Sequence, residues 1–479
     1  VKKLFSGILF TQGLNLLIKP LYLLWIDREV QNTVPPDDYG GYFAVLNLTL
    51  IAVVLLDPGI HNFVIRSIAS DRKSSKSFFI SGLTNKAWLT VIYSVVVLIS
   101  AWALDLPQSM WPVTFCLIFF QIAASYIQYF RSIFTALEKF KWDGILSVSE
   151  RALTILLMSV VLMKFIPGFD VTVQRFSLIQ AISAGTVMGL AALVVYYLFR
   201  TESGSEKINF RSFLSASWPY ALLTMLMGIY SYLDGVMLNQ LAPDGAVDAA
   251  EYAMGYRLYF AGFMFAQLFA AYLFPVFSRM SSEGNSYTNL AKYTFRVLLT
   301  GTLLVFSWCV VYRFEIIEGL YPDRFTSDSV TAFAILIAGL VANSFTFIFG
   351  TALTAEGRLR LLNQLAVVTV LVNVVLNAWF IPLMGASGAA VATLVSQTLF
   401  GLLCFFFCSR DGYTHRDLKG LGSVLGSFAL GWGVYALLSN WTTGEWIILA
   451  STVVALGVIL ASGVIRLKPV IQSIRTDKK

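Results

Sequence analysis

Charge and histidine are both scarce in this chain. Only 13% of its 479 residues are Asp, Glu, Lys or Arg, and it has two histidines, His61 and His415. Soluble domains carry about 25% charged residues, so the shortfall excludes an ordinary aqueous globule. Two histidines also argue against a metal centre built from imidazoles. The four cysteines, Cys116, Cys309, Cys404 and Cys408, lie in or beside apolar stretches, which argues against a secreted disulfide scaffold. Cys404 and Cys408 share a helix face by spacing, and apolar packing is a simpler reading of them than a functional thiol pair.

What the chain has instead is long apolar runs. Hydrophobic residues make up 57% of it and the mean hydropathy is +0.73. A run of about 18 apolar residues crosses a hydrocarbon core ~30 Å thick. Fourteen such runs can be marked, near 5–25, 41–65, 78–104, 111–133, 144–165, 176–199, 213–241, 253–278, 290–312, 329–353, 361–382, 385–408, 420–438 and 445–465. The expected fold is therefore an all-α integral membrane protein with about 14 transmembrane helices. The first run, LFSGILFTQGLNLLIKPLYLLW, is long enough to span and no small-residue cleavage pattern follows it. It is expected to be an anchor rather than a removable signal peptide.

Orientation follows from the basic residues, because short cytoplasmic loops hold the excess of Lys and Arg. With the N-terminus inside, 24 of the 34 fall on the cytoplasmic side. Five fall outside, Arg28, Lys164, Arg175, Arg313 and Arg324, and five lie within spans. The outer loops are acidic, as at Asp27, Glu29, Asp37, Asp38, Asp244, Asp248 and Glu251. Both termini are thus expected in the cytoplasm. The same asymmetry accounts for the net charge of +7 without a nucleic-acid partner.

A short phrase recurs. Thr135-Ala136-Leu137 returns as Thr351-Ala352-Leu353, 216 positions later, and each copy precedes a charged turn and a new apolar run. Tyr39 in DDYGGYF matches Tyr252 in AEYAMGY, and Arg66 in VIRSIAS matches Arg279 in FSRMSS, both at an offset of 213. Three pairs in order point to an internal duplication of six spans. Six is even, so the copies are expected to be parallel, a transporter architecture with its pathway between the halves. The expected organisation is an N-terminal six-helix lobe over 1–200, a C-terminal six-helix lobe over 213–408, and two further helices over 419–466.

Two stretches carry a family resemblance. YSYLDGVMLNQLAPDGAVDAAEYAMGYRL resembles the span-seven to span-eight passage of Wzx-type polysaccharide transporters, within the multidrug/oligosaccharidyl-lipid/polysaccharide exporter superfamily. VLNAWFIPLMGASGAAVATLVSQ is similar to that family's span-eleven to span-twelve turn. The resemblance implies two bundles around a central cavity in a bacterial inner membrane. It also implies a polyprenyl-diphosphate-linked glycan carried across by alternating access. Membrane lipids and glycan-assembly proteins are the implied partners. No cofactor is implied beyond coupling to H+ or Na+.

Polar residues inside spans must face protein or water rather than lipid. On the first span Gln12, Asn15, Lys19 and Tyr22 share one face, as do Ser147, Glu150, Arg151 and Thr154 on the fifth. Lys86, Thr90 and Ser94 form a stripe on the third span, Tyr220, Thr224, Ser231 and Asp234 on the seventh, and Tyr252, Tyr256 and Tyr259 on the eighth. Lys19, Lys86 and Arg151, with Arg131 at the cytoplasmic mouth, outnumber Asp57 and Glu150. The surplus favours an anionic cargo such as a diphosphate. Candidate cargo-binding residues are these four cations with Gln12, Asn15, Tyr256 and Tyr259. Asp57, Glu150, Asp234 and Arg257 are candidates for ion coupling or for structural pairing, Asp234 with Arg257 and Asp57 with Lys86. The tyrosine stripe on the eighth span reads more readily as packing than as a platform for sugar rings. Gly385, Gly388, Ala389 and Ala392 read as close helix contact. Pro20 and Pro58-Gly59 should bend their helices.

A cation-coupled drug exporter of the same superfamily is the nearer alternative. A membrane glycosyltransferase, ligase or polymerase is the further one, because the outer loops are short and their carboxylates dispersed. The basic asymmetry makes a testable prediction. Single cysteines at Asp38 and Asp244 should react with an impermeant thiol reagent added to intact cells, and ones at Ser74 and Ser203 should not. Equal labelling at Ser203 and Asp38 would mean that a span has been miscounted.

Overall fold

The computed structural model describes residues 2–61, 64–65, 68, 75–165, 167–200, 210–410, 412, 418–439, 452–454 and 457. All regular structure among them is helical. Eleven of the described helices are long and apolar enough to cross a membrane. The expected fourteenth span, 445–465, lies outside the described residues except at 452–454 and 457, and so do Arg66, Ser74 and Ser203.

Helix α1 (Lys2–Leu21) contains Pro20 and runs into a π-helical turn, Tyr22–Asp27, followed by the short α2 (Arg28–Thr33). Proline removes one backbone donor and crowds the preceding turn. The bend expected here takes the form of an i→i+5 turn, which carries residues five apart toward one side. Helix α3 (Pro36–Ala52) starts on a proline, where the missing N–H costs nothing. It tightens into a 3-10 turn, Val53–Leu56, before Asp57. Asp57 Oδ1 then accepts from the backbone N–H groups of Gly59 (3.0 Å) and His61 (3.2 Å). The expected weak point at Pro58-Gly59 is therefore a helix break capped by a carboxylate.

The next helices are α4 (Ser75–Ala103), α5 (Trp111–Ala136), α6 (Phe140–Leu162), α7 (Val173–Phe199), α8 (Phe210–Leu241) and α9 (Ala246–Ser282). After them come α10 (Thr288–Val311), α11 (Arg313–Leu320), α12 (Ser327–Phe345), a π-turn at Thr346–Gly350, α13 (Thr351–Ala355), α14 (Leu359–Arg410) and α15 (Leu418–Ser439). Helix α14 is 52 residues long but breaks at Gly385, whose φ is +51°. Its two arms are the eleventh and twelfth spans of the sequence reading. A Cβ at Gly385 would occupy the Asp248 carboxylate, which instead accepts from the Ala386 N–H at 3.2 Å.

The recurring phrase marks a recurring helix exit. Lys139 N–H donates to the Phe134 carbonyl (2.7 Å) across Glu138 at φ +58°, and Arg358 N–H donates to the Leu353 carbonyl (3.0 Å) across Gly357 at φ +71°. Both are the same C-terminal closure with a left-handed residue. The turns correspond at an offset of 219, three more than the tripeptides themselves.

Two compact units form. The first comprises Val1–Ala261, Ile317–Ala332 and Val370–Thr393, and the second Gly262–Ile316, Phe333–Thr369 and Leu394–Lys479. In the first, α1 packs along α6, α5 along α7 and α3 along α8. Tyr129, Phe130, Ile133 and Phe134 of α5 bury against Val195 and Phe199 of α7. In the second, the Phe295 ring meets Phe345 at 4.8 Å and Phe349 at 5.0 Å, and Phe349 meets Phe405 at 4.9 Å. Cys404 and Cys408 are fully buried there and not joined in a disulfide.

Glycine sets the approach of α3 to the second half of the chain. A Cβ at Gly40 would sit on the Ala246 carbonyl, and one at Gly235 on the Asn47 side chain. Overpacking of this kind costs about 1–3 kcal/mol or more. Gly40→Leu should therefore cut the yield of monodisperse protein several-fold on size exclusion, while Gly13→Ala, at a site with nothing within 4 Å of the added carbon, should leave it at the parent level.

Candidate functional site

Most serine and threonine hydroxyls of the polar stripes are satisfied on their own helix. Thr90 bonds the Lys86 carbonyl (2.9 Å), Ser94 the Thr90 carbonyl (2.8 Å), Thr154 the Glu150 carbonyl (3.0 Å) and Thr224 the Tyr220 carbonyl (3.0 Å). Each is an i−4 bond available to any Ser or Thr in a helix. The stripe on α8 does not gather at one place, since Tyr220 is exposed and Asp234 buried.

The stripes of the first and fifth spans do meet, because α1 packs along α6. Asn15 Nδ2 donates to Ser147 Oγ at 2.8 Å. One turn on, the Arg151 guanidinium lies 4.4 Å from the Tyr22 ring centroid and 5.1 Å from that of Phe120. Its Nε faces Glu150 Oε2 at 3.4 Å, with the side chains 27% and 14% exposed. Two rings on the guanidinium faces and a carboxylate on one edge hold the fork in one orientation and leave its other donors to be used. Lys19, half-buried on α1, lies within electrostatic reach of Arg151, Arg131 and Glu150. It forms no ion pair or hydrogen bond among the described residues. Gln12, half-buried on the same helix, forms no hydrogen bond among them either.

The other two cations sit differently. Lys86, a cargo-binding candidate by sequence, is fully enclosed, donating to the Leu56 carbonyl (2.9 Å) and Ser125 Oγ (2.7 Å), with its expected partner Asp57 at 3.9 Å. The Tyr126 and Tyr129 rings cover it at 5.6 and 5.9 Å. Arg131 Nε bonds Asp143 Oδ1 at 2.8 Å, a partner not anticipated from the sequence. Among the described residues, three carboxylates therefore match three of the four cations, and Lys19 is the one left over.

The expected pairing of Asp234 with Arg257 is not formed. Arg257 pairs with Asp27, both almost fully buried, and its guanidinium lies 5.2 Å from the Tyr39 ring centroid. The Tyr39 hydroxyl donates to Asp27 at 3.2 Å. Asp234 is held by neutral groups instead: the Tyr252 hydroxyl (2.9 Å), Asn377 Nδ2 (2.7 Å), Asn373 Nδ2 (3.5 Å) and the Thr393 hydroxyl. Such donors satisfy a carboxylate as an ion partner would, but leave its charge uncompensated.

The tyrosines of α9 are packed. The rings of Tyr252 and Tyr256 stack at 5.7 Å, Tyr259 lies 5.8 Å from Tyr256, and the Tyr256 hydroxyl donates to the Ser231 carbonyl at 3.2 Å. Tyr252 and Tyr259 are buried and Tyr256 is half-buried. Asp27, expected in an outer loop, is instead buried against Arg257, and sequence reasoning missed Asp143, Gln180, Asn373, Asn377 and Thr393. An intramembrane carboxamide or acid four residues from another, as at Asn373 and Asn377, was the one available signal.

Residues 4–281, more than half of the chain, match the family described as polysaccharide biosynthesis protein. The chain belongs to that family. A curated relative, the probable low-salt glycan biosynthesis flippase Agl15 of Haloferax volcanii, is 28% identical over 228 residues. The match covers 46% of each protein, so this chain spans about half the length of that relative. Among solved structures, the lipid II flippase MurJ in an inward closed conformation superposes with a TM-score of 0.70 at 15% identity, over 98% of this chain and 100% of that one. A multidrug resistance MATE family transporter of the MOP superfamily, facing inward, gives 0.65 at 15% identity, over 82% and 94%. This member of the polysaccharide biosynthesis family thus has the multi-pass membrane fold of MOP superfamily transporters. The resemblance and the all-α membrane architecture expected from the sequence are both borne out.

The ion pairs predict a clear division. Breaking one side of a buried pair costs about 3–5 kcal/mol. Asp27→Asn and Arg257→Gln should each lower thermal stability, and their double-mutant cycle should show coupling above about 0.5 kcal/mol. The cycle between Asp234→Asn and Arg257→Gln should show none. Coupling in the second cycle and not the first would contradict the pairing described.

Proposed function

We propose that this protein is a flippase that exports polyprenyl-diphosphate-linked oligosaccharide units across the cytoplasmic (bacterial inner) membrane, with both termini in the cytoplasm. The observation that carries the reading is Lys19, a cation with no ion pair among the described residues, within electrostatic reach of an Arg151 fork held by Tyr22, Phe120 and Glu150. A cation at mid-bilayer costs ~2.5–3.5 kcal/mol on an insertion scale. An unmatched one is supported by an anion that visits it, and a lipid-linked diphosphate is such an anion. The naming of the haloarchaeal relative as a glycan biosynthesis flippase and of the solved neighbour as a lipid II flippase supports the same cargo class. The protein works as a carrier and not an enzyme, by alternating access of two six-helix lobes, 1–200 and 213–408, with 419–466 appended.

Asp234 supports a cation-coupled cycle, the feature this reading shares with a drug exporter. Its carboxylate, ringed by Tyr252, Thr393, Asn373 and Asn377, lies where a proton or a sodium ion would neutralise it, with the carboxamide and hydroxyl oxygens at hand as further ligands for sodium. Drug export would not require the cation pair of Lys19 and Arg151; export of a diphosphate would.

Proteoliposomes loaded with a defined lipid-linked oligosaccharide diphosphate test both parts. Lys19→Ala and Arg151→Ala should each lower flipping at least tenfold at normal expression, with Lys19→Arg keeping part of it. Asp234→Asn should fold normally and lose ion-driven transport. Flipping at parent rates in both alanine variants would rule out the cationic site.

A further inference from the structure

Arg151 and the Asp27–Arg257 pair are joined by a continuous run of contacts inside the first unit. The Tyr22 ring that carries the Arg151 guanidinium has its hydroxyl bonded by Gln180 Nε2 at 2.5 Å. The same amide nitrogen donates to the Tyr42 hydroxyl at 2.9 Å. The Tyr42 ring lies 5.8 Å from that of Tyr39, and the Tyr39 hydroxyl donates to Asp27. Tyr22, Gln180, Tyr42, Tyr39 and Asp27 are all buried. If Tyr22 shifts, the Gln180 amide loses a partner in a place where losing one is costly.

Two geometric features turn this run from packing into a link. Tyr22 and Asp27 open and close the same π-turn, so a rotation of the turn that moves one moves the other. Beyond Asp27 lie the contacts by which residues 27–33 hold the second half of the chain. Gln31 Nε2 donates to the Ala250 carbonyl (2.7 Å), Asn32 Nδ2 to the Leu320 carbonyl (2.9 Å), and Arg324 Nε to the Asn32 carbonyl (3.4 Å). Those three are single hydrogen bonds to carbonyls, whereas Asp27–Arg257 is a buried ion pair and is the contact whose loss weakens the junction most.

We propose that this run, Arg151–Tyr22–Gln180–Tyr42–Tyr39–Asp27, is a relay by which an anion at the cation site opens the junction at Asp27–Arg257. An anion drawn to Arg151 lifts the guanidinium from the Tyr22 face. Tyr22 then settles, the π-turn rotates, and Asp27 leaves Arg257. The relay rests on the proposed function only for the identity of the anion. The coupling itself is a property of these side chains, and a coupling of ordinary size changes the equilibrium by about 5–150-fold.

The test uses the full chain in lipid nanodiscs with spin labels at Thr33→Cys and Asp323→Cys, two exposed positions flanking the junction. Cys116→Ala and Cys309→Ala remove the half-exposed thiols, while Cys404 and Cys408 are buried. Pulsed EPR then reports the ratio of long to short label distances. Arg151→Gln should change that ratio by about fivefold or more. The same substitution should change it by less than about twofold in a Gln180→Leu or a Tyr42→Phe background, the second variant removing one hydroxyl while keeping the ring. An equal response to Arg151→Gln in all three backgrounds, or no response in any, overturns the relay. Undecaprenyl diphosphate added to the parent separates the two proposals. A relay that responds to Arg151→Gln but not to this lipid stands without a diphosphate cargo, and a lipid response that persists in Gln180→Leu overturns the relay.

Discussion

Hydrocarbon offers no hydrogen-bond partner, so every polar group carried into the membrane must find one inside the protein. The rest of the structure depends on that constraint. Hydroxyls meet it on their own helix, as Thr90 and Ser94 do. Lys86 meets it by complete enclosure with a carbonyl, a hydroxyl, Asp57 and two aromatic rings. Asp234 meets it with neutral donors from α9 and both arms of α14, and Arg257 with Asp27 and the Tyr39 face. Against that background Lys19 stands out, because it meets the constraint with nothing drawn from the described residues. A group that the fold leaves unmatched is the natural place for a mobile charge to enter.

The placement of charge supports the proposed cargo class where the fold does not. The same helical architecture is found in a lipid II flippase and in a multidrug transporter at 15% identity each, so the arrangement of helices says little about what is carried. In this chain the α1–α6 seam joins a clamped guanidinium to an unmatched ammonium, and the carboxylate of Asp234 lies apart from it in a cage of hydroxyls and carboxamides. On the proposed function, cargo recognition and ion coupling fall on different helices, and a link between them must pass through the helices in between.

How much of this was legible in the sequence depended on whether the relevant spacing was local. Apolar runs revealed the spans, and the 3.6-residue period placed Asn15 and Ser147 on faces that meet. The charged turn after each Thr-Ala-Leu foretold two helix exits of one type, although the turn geometry aligns three residues away from the tripeptides. Asp27 reads from the sequence as an outer-loop acid, whereas the π-turn after Pro20 runs from Tyr22 to Asp27 and both ends of it are buried. Pairing with Arg257 was one of two readings of Asp234, while its partners Asn377 and Thr393 lie 143 and 159 residues away and are neutral. Neutral partners of a buried charge leave no mark in a charge pattern. Asp143 was passed over because it stands at a helix start, where an acidic residue already has a local explanation.

The claim that matters most is that Lys19 and Arg151 together hold the anionic head of a lipid-borne cargo. The most direct measurement is a cryo-EM structure of the protein in nanodiscs with a polyprenyl diphosphate oligosaccharide. The account predicts head-group density within hydrogen-bond reach of both Lys19 Nζ and the free edge of the Arg151 guanidinium, with Glu150 retained on the opposite edge. Head-group density elsewhere, with Lys19 turned to a protein carboxylate and Arg151 unchanged, would contradict it.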